Sequence, residues 1–343
     1  MSRSENLSQD HIDRKVSVAP MMEWTDRHCR YFLRLLSTRS VLYTEMIVAE
    51  AVVHGDRARL LELDPAEHPV ALQLGGADPQ LLAQAARIGA EFGYDEINLN
   101  VGCPSGRVQA GAFGACLMLD PDRVARAVAA MRAAVAIPVT VKSRIGVDER
   151  EDYEFLQSFV RTVAAAGADA FIVHARRAVL AGLSPKENRT IPPLHYGHVY
   201  RLKAEHPELP VIINGGITTV AQARQHWARV DGVMLGRAAY HDPYLLTSIE
   251  EAAGGTGITR SREWVVEQLA AYCERELARG TRLAAITRHV LGLYAGQPGA
   301  RAWRRALSDG ATRGAGPELL IAAQRALARA ETALPAATGT GGR

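Results

Sequence analysis

Residues 211–238 read VIINGGITTVAQARQHWARVDGVMLGRA. An apolar run, Val211–Asn214, ends in two adjacent glycines; a stretch of helical period follows, and a second apolar run, Gly232–Leu235, ends at Gly236 and Arg237. The pattern is strand, helix, strand, with a glycine turn at the carboxyl end of each strand. Upstream the alternation repeats. Short strand-like runs at Ser17–Pro20, Val41–Thr44, Val70–Leu74, Glu96–Asn100, Val139–Ser143 and Ala170–His174 are separated by Ala/Leu/Arg-rich helical stretches. Eight such units in roughly 230 residues match the size and count of an α/β (β/α)8 TIM barrel, which they favour over a doubly wound open sheet of similar local pattern.

After Asp242-Pro243 the strands stop. Ala252–Gly257 reads as a glycine-rich linker, and Trp264–Arg279, Arg282–Tyr294 and Glu318–Leu327 read as amphipathic helices, a small C-terminal all-helical domain. The expected organisation is an N-terminal extension over 1–15, a barrel over 16–250, a helical domain over 258–332 and a disordered tail over 333–343. The 343 residues are 48% hydrophobic and 22% charged, ordinary for a globular chain. No apolar run reaches the roughly 18 residues of a membrane span, and the start, polar and acidic, lacks the blocks of a signal peptide, so the expected setting is cytoplasmic.

The net charge of +3 does not by itself announce a nucleic-acid binder. Of 40 basic residues only Lys15, Lys142, Lys186 and Lys203 are lysines, a bias that composition alone can explain. The four cysteines form no CxxC pair, which speaks against a zinc site or a disulfide framework, and no metal is expected.

Several strands end in a polar residue: Gln73, Asn98 with Asn100, Lys142 with Arg144, His174 with Arg176, and Asn214. In a barrel those ends surround one mouth. Glycine turns on the last two strands, at Gly215-Gly216 and Gly236-Arg237, fit a phosphate cup, in which glycine permits close backbone approach and Arg237 adds a charge. The phosphate of a sugar fits as well as that of a cofactor, so the rest of the mouth must discriminate. A flavin ring needs an amide on its pyrimidine edge and a cation near N1 and O2; Gln73 and Lys142 offer these, and His174 a further donor. Pro20, Met21 and Met22 close the first strand as a shelf of apolar groups.

Cys103 stands in a Gly-Cys-Pro turn at the end of INLNVGCPS (97–105). A free cysteine is usually a small buried hydrophobe, and Cys29, Cys116 and Cys273, in helix-like stretches, fit that description. Cys103 does not. An ordinary thiol, with a pKa of about 8.5, keeps its proton at neutral pH and can act as an acid. With hydride from a reduced flavin, that proton would saturate a polarised carbon–carbon double bond such as pyrimidine C5=C6.

Together APMMEWTD (19–26), QLGG (73–76), INLNVGCPS (97–105), VKSRIG (141–146), His174-Ala175-Arg176, Asn214–Ile217 and Gly236-Arg237 resemble the tRNA-dihydrouridine synthases, over most of the chain. The resemblance implies an FMN-dependent barrel with a C-terminal helical domain that reduces uridine in tRNA with NADPH. It implies FMN contacts at Pro20, Met21, Met22, Gln73, Lys142, His174, Asn214, Gly215, Gly216, Gly236 and Arg237, and Cys103 as the acid. GLSPKENRTIPPL (182–194) and ITRHVLGLYAGQPGARAWRRAL (286–307) are similar to the bacterial A-type subfamily, which acts on D-loop positions 20 and 20a. That similarity implies Asn100, Lys186, Arg189, Arg301 and Arg304 as residues facing tRNA. Two other readings stay open on the residues alone: an FMN reductase for a free pyrimidine or small enone, and an RNA-binding module that has lost its chemistry.

Overall fold

The structure is a computed structural model that describes residues 12–255, 259–312 and 314–332. Nine strands form one parallel sheet: β1 Val16–Val18, β2 Val41–Tyr43, β3 Ile47–Val48, β4 Val70–Gly75, β5 Glu96–Val101, β6 Val139–Arg144, β7 Ala170–His174, β8 Val211–Asn214 and β9 Gly232–Leu235. Eight of them close on themselves, because β1 pairs with both β2 and β9 and β2 pairs with β4. The closed ring is the (β/α)8 barrel the repeat predicts, with helices around it. The short β3, absent from the sequence reading, lies against the end of β4, with Ile47 opposite Leu74.

Side chains alternate between two cores. Outward-facing residues such as Leu72, Leu74, Ile97, Leu99, Val141, Phe171 and Ile213 pack under the helices in the large cluster. Inward-facing Val41, Tyr43, Ala71, Ala170, Ile172, Ile212 and Met234 form a small separate one inside the barrel. The strand-to-helix turns end on residues that cap the next helix: Asp26, Asp78, Asp120, Asp152 and Thr219 each accept a backbone N–H of the first turn.

The C-terminal stretch is helical, at Arg262–Ala278, Leu283–Thr287, Ala300–Thr312 and Glu318–Thr332. The helix expected over Arg282–Tyr294 instead stops at Thr287, and 288–299 runs as turns carrying Gly292, Gly296 and Gly299, followed by a further helix, Ala300–Thr312, that is not among the expected ones. A Cβ on Gly292 would stand 2.7 Å from the His241 carbonyl oxygen, so the segment is pressed against the barrel backbone instead of coiling. Trp303, fully buried, donates its indole N–H to the Val290 carbonyl and ties the further helix to those turns. Part of the linker (256–258) and the expected tail (333–343) lie outside the described residues, as does most of the expected extension. Among the described residues no helix is long and apolar enough to cross a membrane.

Polar contacts join the helical stretch to the barrel around the helix Arg27–Leu36. Arg27 pairs with Glu276 at 2.5 Å, His28 Nδ1 lies 2.7 Å from the Tyr272 hydroxyl, and Tyr31 stacks on Tyr272 with ring centroids 3.9 Å apart. Burial pushes His28 down to about 4, so it is neutral at pH 7. Asp26 works at both levels: one oxygen caps the helix at the N–H groups of His28 and Cys29, and the other meets His289 Nε2 at 2.9 Å.

Asp26→Ala removes both contacts and should lower unfolding stability by about 1–2 kcal/mol at pH 7, as loss of a helix cap does. Burial alone would raise the Asp26 pKa, but the contacts with His289 and the Cys29 N–H outweigh it and hold it below 3.8. The carboxylate's contribution is therefore present above about pH 4 and is lost as pH falls through the lower folded value, so wild type and variant should converge there in urea unfolding.

Candidate active site

The carboxyl ends of the strands bring Gln73, Asn100, Lys142, His174 and Asn214 to one mouth, each on the inner face of its strand. Gln73 is buried and its amide is held on both sides: Nε2 donates to Asn98 Oδ1 at 2.7 Å, and Oε1 accepts from Asn100 Nδ2 at 2.8 Å. Asn214 Nδ2 donates to the Met234 carbonyl, and its Oδ1 accepts from Lys142 Nζ at 3.3 Å. Among the described residues that amide oxygen is the one hydrogen-bond partner of the ammonium, and it carries no charge.

Cys103 sits above this ring with its backbone fixed. Its N–H donates to Asn100 Oδ1 at 3.0 Å, and its carbonyl accepts from Ala115 N at 2.9 Å. Gly114 (φ +76) permits the second contact, because a Cβ there would come within 2.6 Å of the Cys103 carbonyl oxygen. The thiol is half-buried and lies 3.6 Å from Ser105 Oγ. Asn100, expected to face RNA, is instead buried beneath this loop, so it can meet only what enters the mouth.

Arg144 links the loop to the far rim. Its Nε donates to the Gly102 carbonyl at 2.9 Å, while Nη1 donates to the carbonyls of Arg177 and Asn188 at 2.9 and 3.0 Å. Asn188 holds the 182–194 loop in shape by bonding both backbone groups of Val179. Arg144 is legible in the sequence as a polar strand end within VKSRIG, whereas the role of Asn188 shows only in the folded loop.

The cations of the mouth repel one another. Burial, then the Arg144 guanidinium, push Lys142 down to about 7, and a charge on Cys103 would pull it back up. Burial, with Arg189 and Arg176 nearby, pushes Arg144 down to about 10. His174 is driven well below its usual range by burial and then by Arg144, Lys142 and Arg176, so its ring is neutral. Arg176 Nε is buried and has no partner among the described residues, leaving one donor of that guanidinium unspent. An ensemble of close cations with an orphaned donor is an anion site in electrostatic terms.

The glycine turns complete the rim. Gly215 (φ +119) and Gly216 (φ +72) lie in the left-handed region, and Cβ atoms there would strike His174, Leu194 and Tyr196. The Tyr196 hydroxyl donates to the Gly215 carbonyl at 2.8 Å. A Cβ on Gly236 would meet nothing within 4 Å, so the chain leaves open space over β9, and Arg237, half-buried beside it, reaches the Arg189 carbonyl at 3.4 Å. Met21 packs against the core while Met22 is 58% exposed. The turn that carries them is tight: Met21 accepts from the N–H groups of Trp24 and Thr25, and Glu23 (φ +65) donates its N–H to Glu45. Lys186 and Arg189 are exposed on the 182–194 loop, and Arg301 and Arg304 on the helix Ala300–Thr312. No group of three or more His, Cys, Asp or Glu among the described residues could hold a metal ion.

Comparison with known proteins gives concordant findings. The family described as dihydrouridine synthase matches residues 17–330. The chain is 59% identical over 313 residues to the tRNA-dihydrouridine(20/20a) synthase of Synechocystis, covering 91% of this chain and 94% of that one. It is 59% identical over 319 residues to the enzyme of the same name in Xanthomonas axonopodis pv. citri, covering 93% and 94%. With that of Escherichia coli K12 it shares 55% identity over 303 residues, 88% of each chain. Among solved structures, a 2-naphthoyl-CoA reductase complex superposes with a TM-score of 0.53 at 11% identity, over 69% of this chain and 50% of that one, a likeness of fold alone.

Lys142→Met should raise the melting temperature of the ligand-free protein. Lys142 has a folded pKa of about 7 against 10.5 unfolded, so the cost of burying its charge is complete below pH 7. Between those values the unfolded chain binds the extra proton and the cost fades, so the gain in Tm should be largest near pH 6 and vanish by about pH 10.5, read by calorimetry across pH.

Proposed function

Because this chain belongs to the dihydrouridine synthase family, we propose that it reduces the C5=C6 bond of D-loop uridine in tRNA, at positions 20 and 20a, with FMN as cofactor and NADPH as reductant. The observation that carries the reading is a thiol of fixed position, Cys103, at a mouth lined by cations that lack matching anions.

The residues present fit FMN. Gln73 keeps one N–H and one lone pair beyond its two hydrogen bonds, enough to read the pyrimidine edge of the ring. Lys142 and the neutral His174 would stand at the ring, with Asn214 steadying the lysine. Gly215, Gly216, Gly236 and Arg237 would take the phosphate, with the free Nε of Arg176 as a further donor, and Pro20, Met21 and Met22 would flank the ring. When bound and reduced by NADPH, FMN supplies the hydride that adds to C6 of the uracil ring.

The chain's own part is to hold the base and deliver the proton. Cys103 Sγ gives its proton to C5 as the second C–H bond forms, and the thiolate left behind recovers a proton from solvent. Lys142 favours that thiolate, since a charge on either group stabilises the opposite charge on the other. Asn100 and Ala115 hold the loop still from below, so the thiol is aimed without being reordered at each turnover.

A uridine folded into tRNA is stacked, and drawing it into the mouth costs a few kcal/mol that contacts elsewhere must offset. Lys186 and Arg189 on the rim and Arg301 and Arg304 on the C-terminal helix are exposed and suited to phosphate contacts. The substrate places the work in the cytoplasm.

The test is dihydrouridine mapping in tRNA from a deletion strain, before and after addition of purified protein with FMN and NADPH. Restoration at positions 20 and 20a is expected; no restoration at any position would overturn the reading. Cys103→Ala should keep the flavin spectrum and lose about 100-fold or more in rate, the share of a general acid. Retained full activity would remove the role. Arg301→Ala with Arg304→Ala should weaken tRNA binding and lower the salt slope by about 1–2, with the flavin spectrum unchanged, in filter-binding titrations.

A further inference from the structure

We infer that Glu96, at the floor of the barrel, is a positioning residue for the mouth: it sets the direction of a chain of side-chain hydrogen bonds that ends on the Cys103 loop. The inference rests on the proposed reading only in taking Gln73 to bind FMN.

Glu96 is the first residue of β5, fully buried on the inner face. Arg14 meets it with Nε at 2.8 Å and Nη2 at 2.6 Å. Burial, and next the charge of Glu96, hold the Tyr43 phenol protonated, so its hydroxyl donates to Oε1 at 2.7 Å. Thr140 Oγ1 donates to the same oxygen at 2.5 Å. With its one proton spent there, Thr140 can only accept from Asn98, and Asn98 Nδ2 lies 2.8 Å away.

Each amide above is then dictated by the one below. Asn98 must turn Oδ1 towards Gln73 Nε2; Gln73 must turn Oε1 towards Asn100 Nδ2; Asn100 must turn Oδ1 towards the N–H groups of Gly102 and Cys103, at 3.2 and 3.0 Å. An amide placed the other way would set donor against donor. The acceptor at the floor and the two backbone donors at the top demand the same direction, and the side chains between them have one arrangement. Gln73 therefore presents its spare N–H and lone pair in one orientation.

A glutamine at 96 keeps the shape but can donate to Thr140, which lets Thr140 and Asn98 turn over against the direction that the Gly102 and Cys103 N–H groups still impose from above, so that Asn98 meets Gln73 donor to donor and Gln73 loses its lower hold. Thr140→Val breaks the chain in its middle and leaves the Arg14–Glu96 pair in place. Both Glu96→Gln and Thr140→Val should weaken FMN binding by about five- to tenfold, the worth of a single hydrogen bond, in fluorescence titrations of protein with a cooperative melt. In a Gln73→Ala background each should have little further effect, because the path to FMN is already cut. Unchanged FMN affinity in both single variants, or effects that add to that of Gln73→Ala, would overturn the inference. If wild type takes up no FMN, the flavin reading fails on its own, and iodoacetamide labelling of Cys103 in the ligand-free protein decides. A loosened loop should shift the pH profile of labelling in both variants, followed by mass spectrometry of the Cys103 peptide; profiles that match wild type would overturn the positioning role.

Discussion

A closed parallel barrel leaves its interior no water to turn to, so every polar group inside must find its partner inside. The Arg14–Glu96 pair is the strictest case: a carboxylate with no exposed surface, satisfied by a guanidinium that enters from the residue stretch before β1 and by two hydroxyls from β2 and β6. One partner removed would leave the other buried and unpaired, which costs several kcal/mol. The apolar inner cluster is small, and the space it leaves is filled by side-chain amides stacked above Glu96. The interior thus connects the floor of the barrel to its mouth through polar contacts and not through packing alone.

At the mouth the balance reverses. Lys142, Arg144, Arg176 and Arg189 lie close enough to depress one another or His174, and their acceptors are carbonyls and an amide instead of carboxylates. Elsewhere the chain pairs its buried charges, as Arg30 with Glu67 shows at 2.6 Å. The mouth is therefore a place where stability is given up, and an anionic ligand is what would recover it. Arg144 makes the same cluster serve architecture, because its contacts with the Gly102 and Asn188 carbonyls bind the Cys103 loop to the 182–194 loop across the rim.

The helical stretch is joined through the helix that follows β1. Asp26 caps that helix and holds His289, Arg27 reaches Glu276, and Tyr31 stacks on Tyr272. The turn 21–25 that shapes the Met21–Met22 rim leads directly into Asp26. The rim of the mouth and the seat of the C-terminal helices are consequently set by neighbouring residues.

The eight barrel strands and the polar residues that end them were legible along the chain, because short apolar runs that alternate with stretches of helical period and stop at a polar residue are a local property that survives any tertiary arrangement. Cys103 was legible for the same reason: Gly-Cys-Pro specifies a turn, and a turn at a strand end in a barrel lies at the mouth. The break at 288–299 was not, since Gly292 answers to a carbonyl of His241 some fifty residues earlier, and a helical period continues through it. Nor could the sequence show that Asn98, Thr140 and Glu96 continue the Gln73 contacts to the floor, or that Asn100 lies under the thiol. Those contacts join strands that are distant along the chain, and which atoms donate is decided only when closure of the barrel brings them within 3 Å and removes the water that would otherwise have satisfied them.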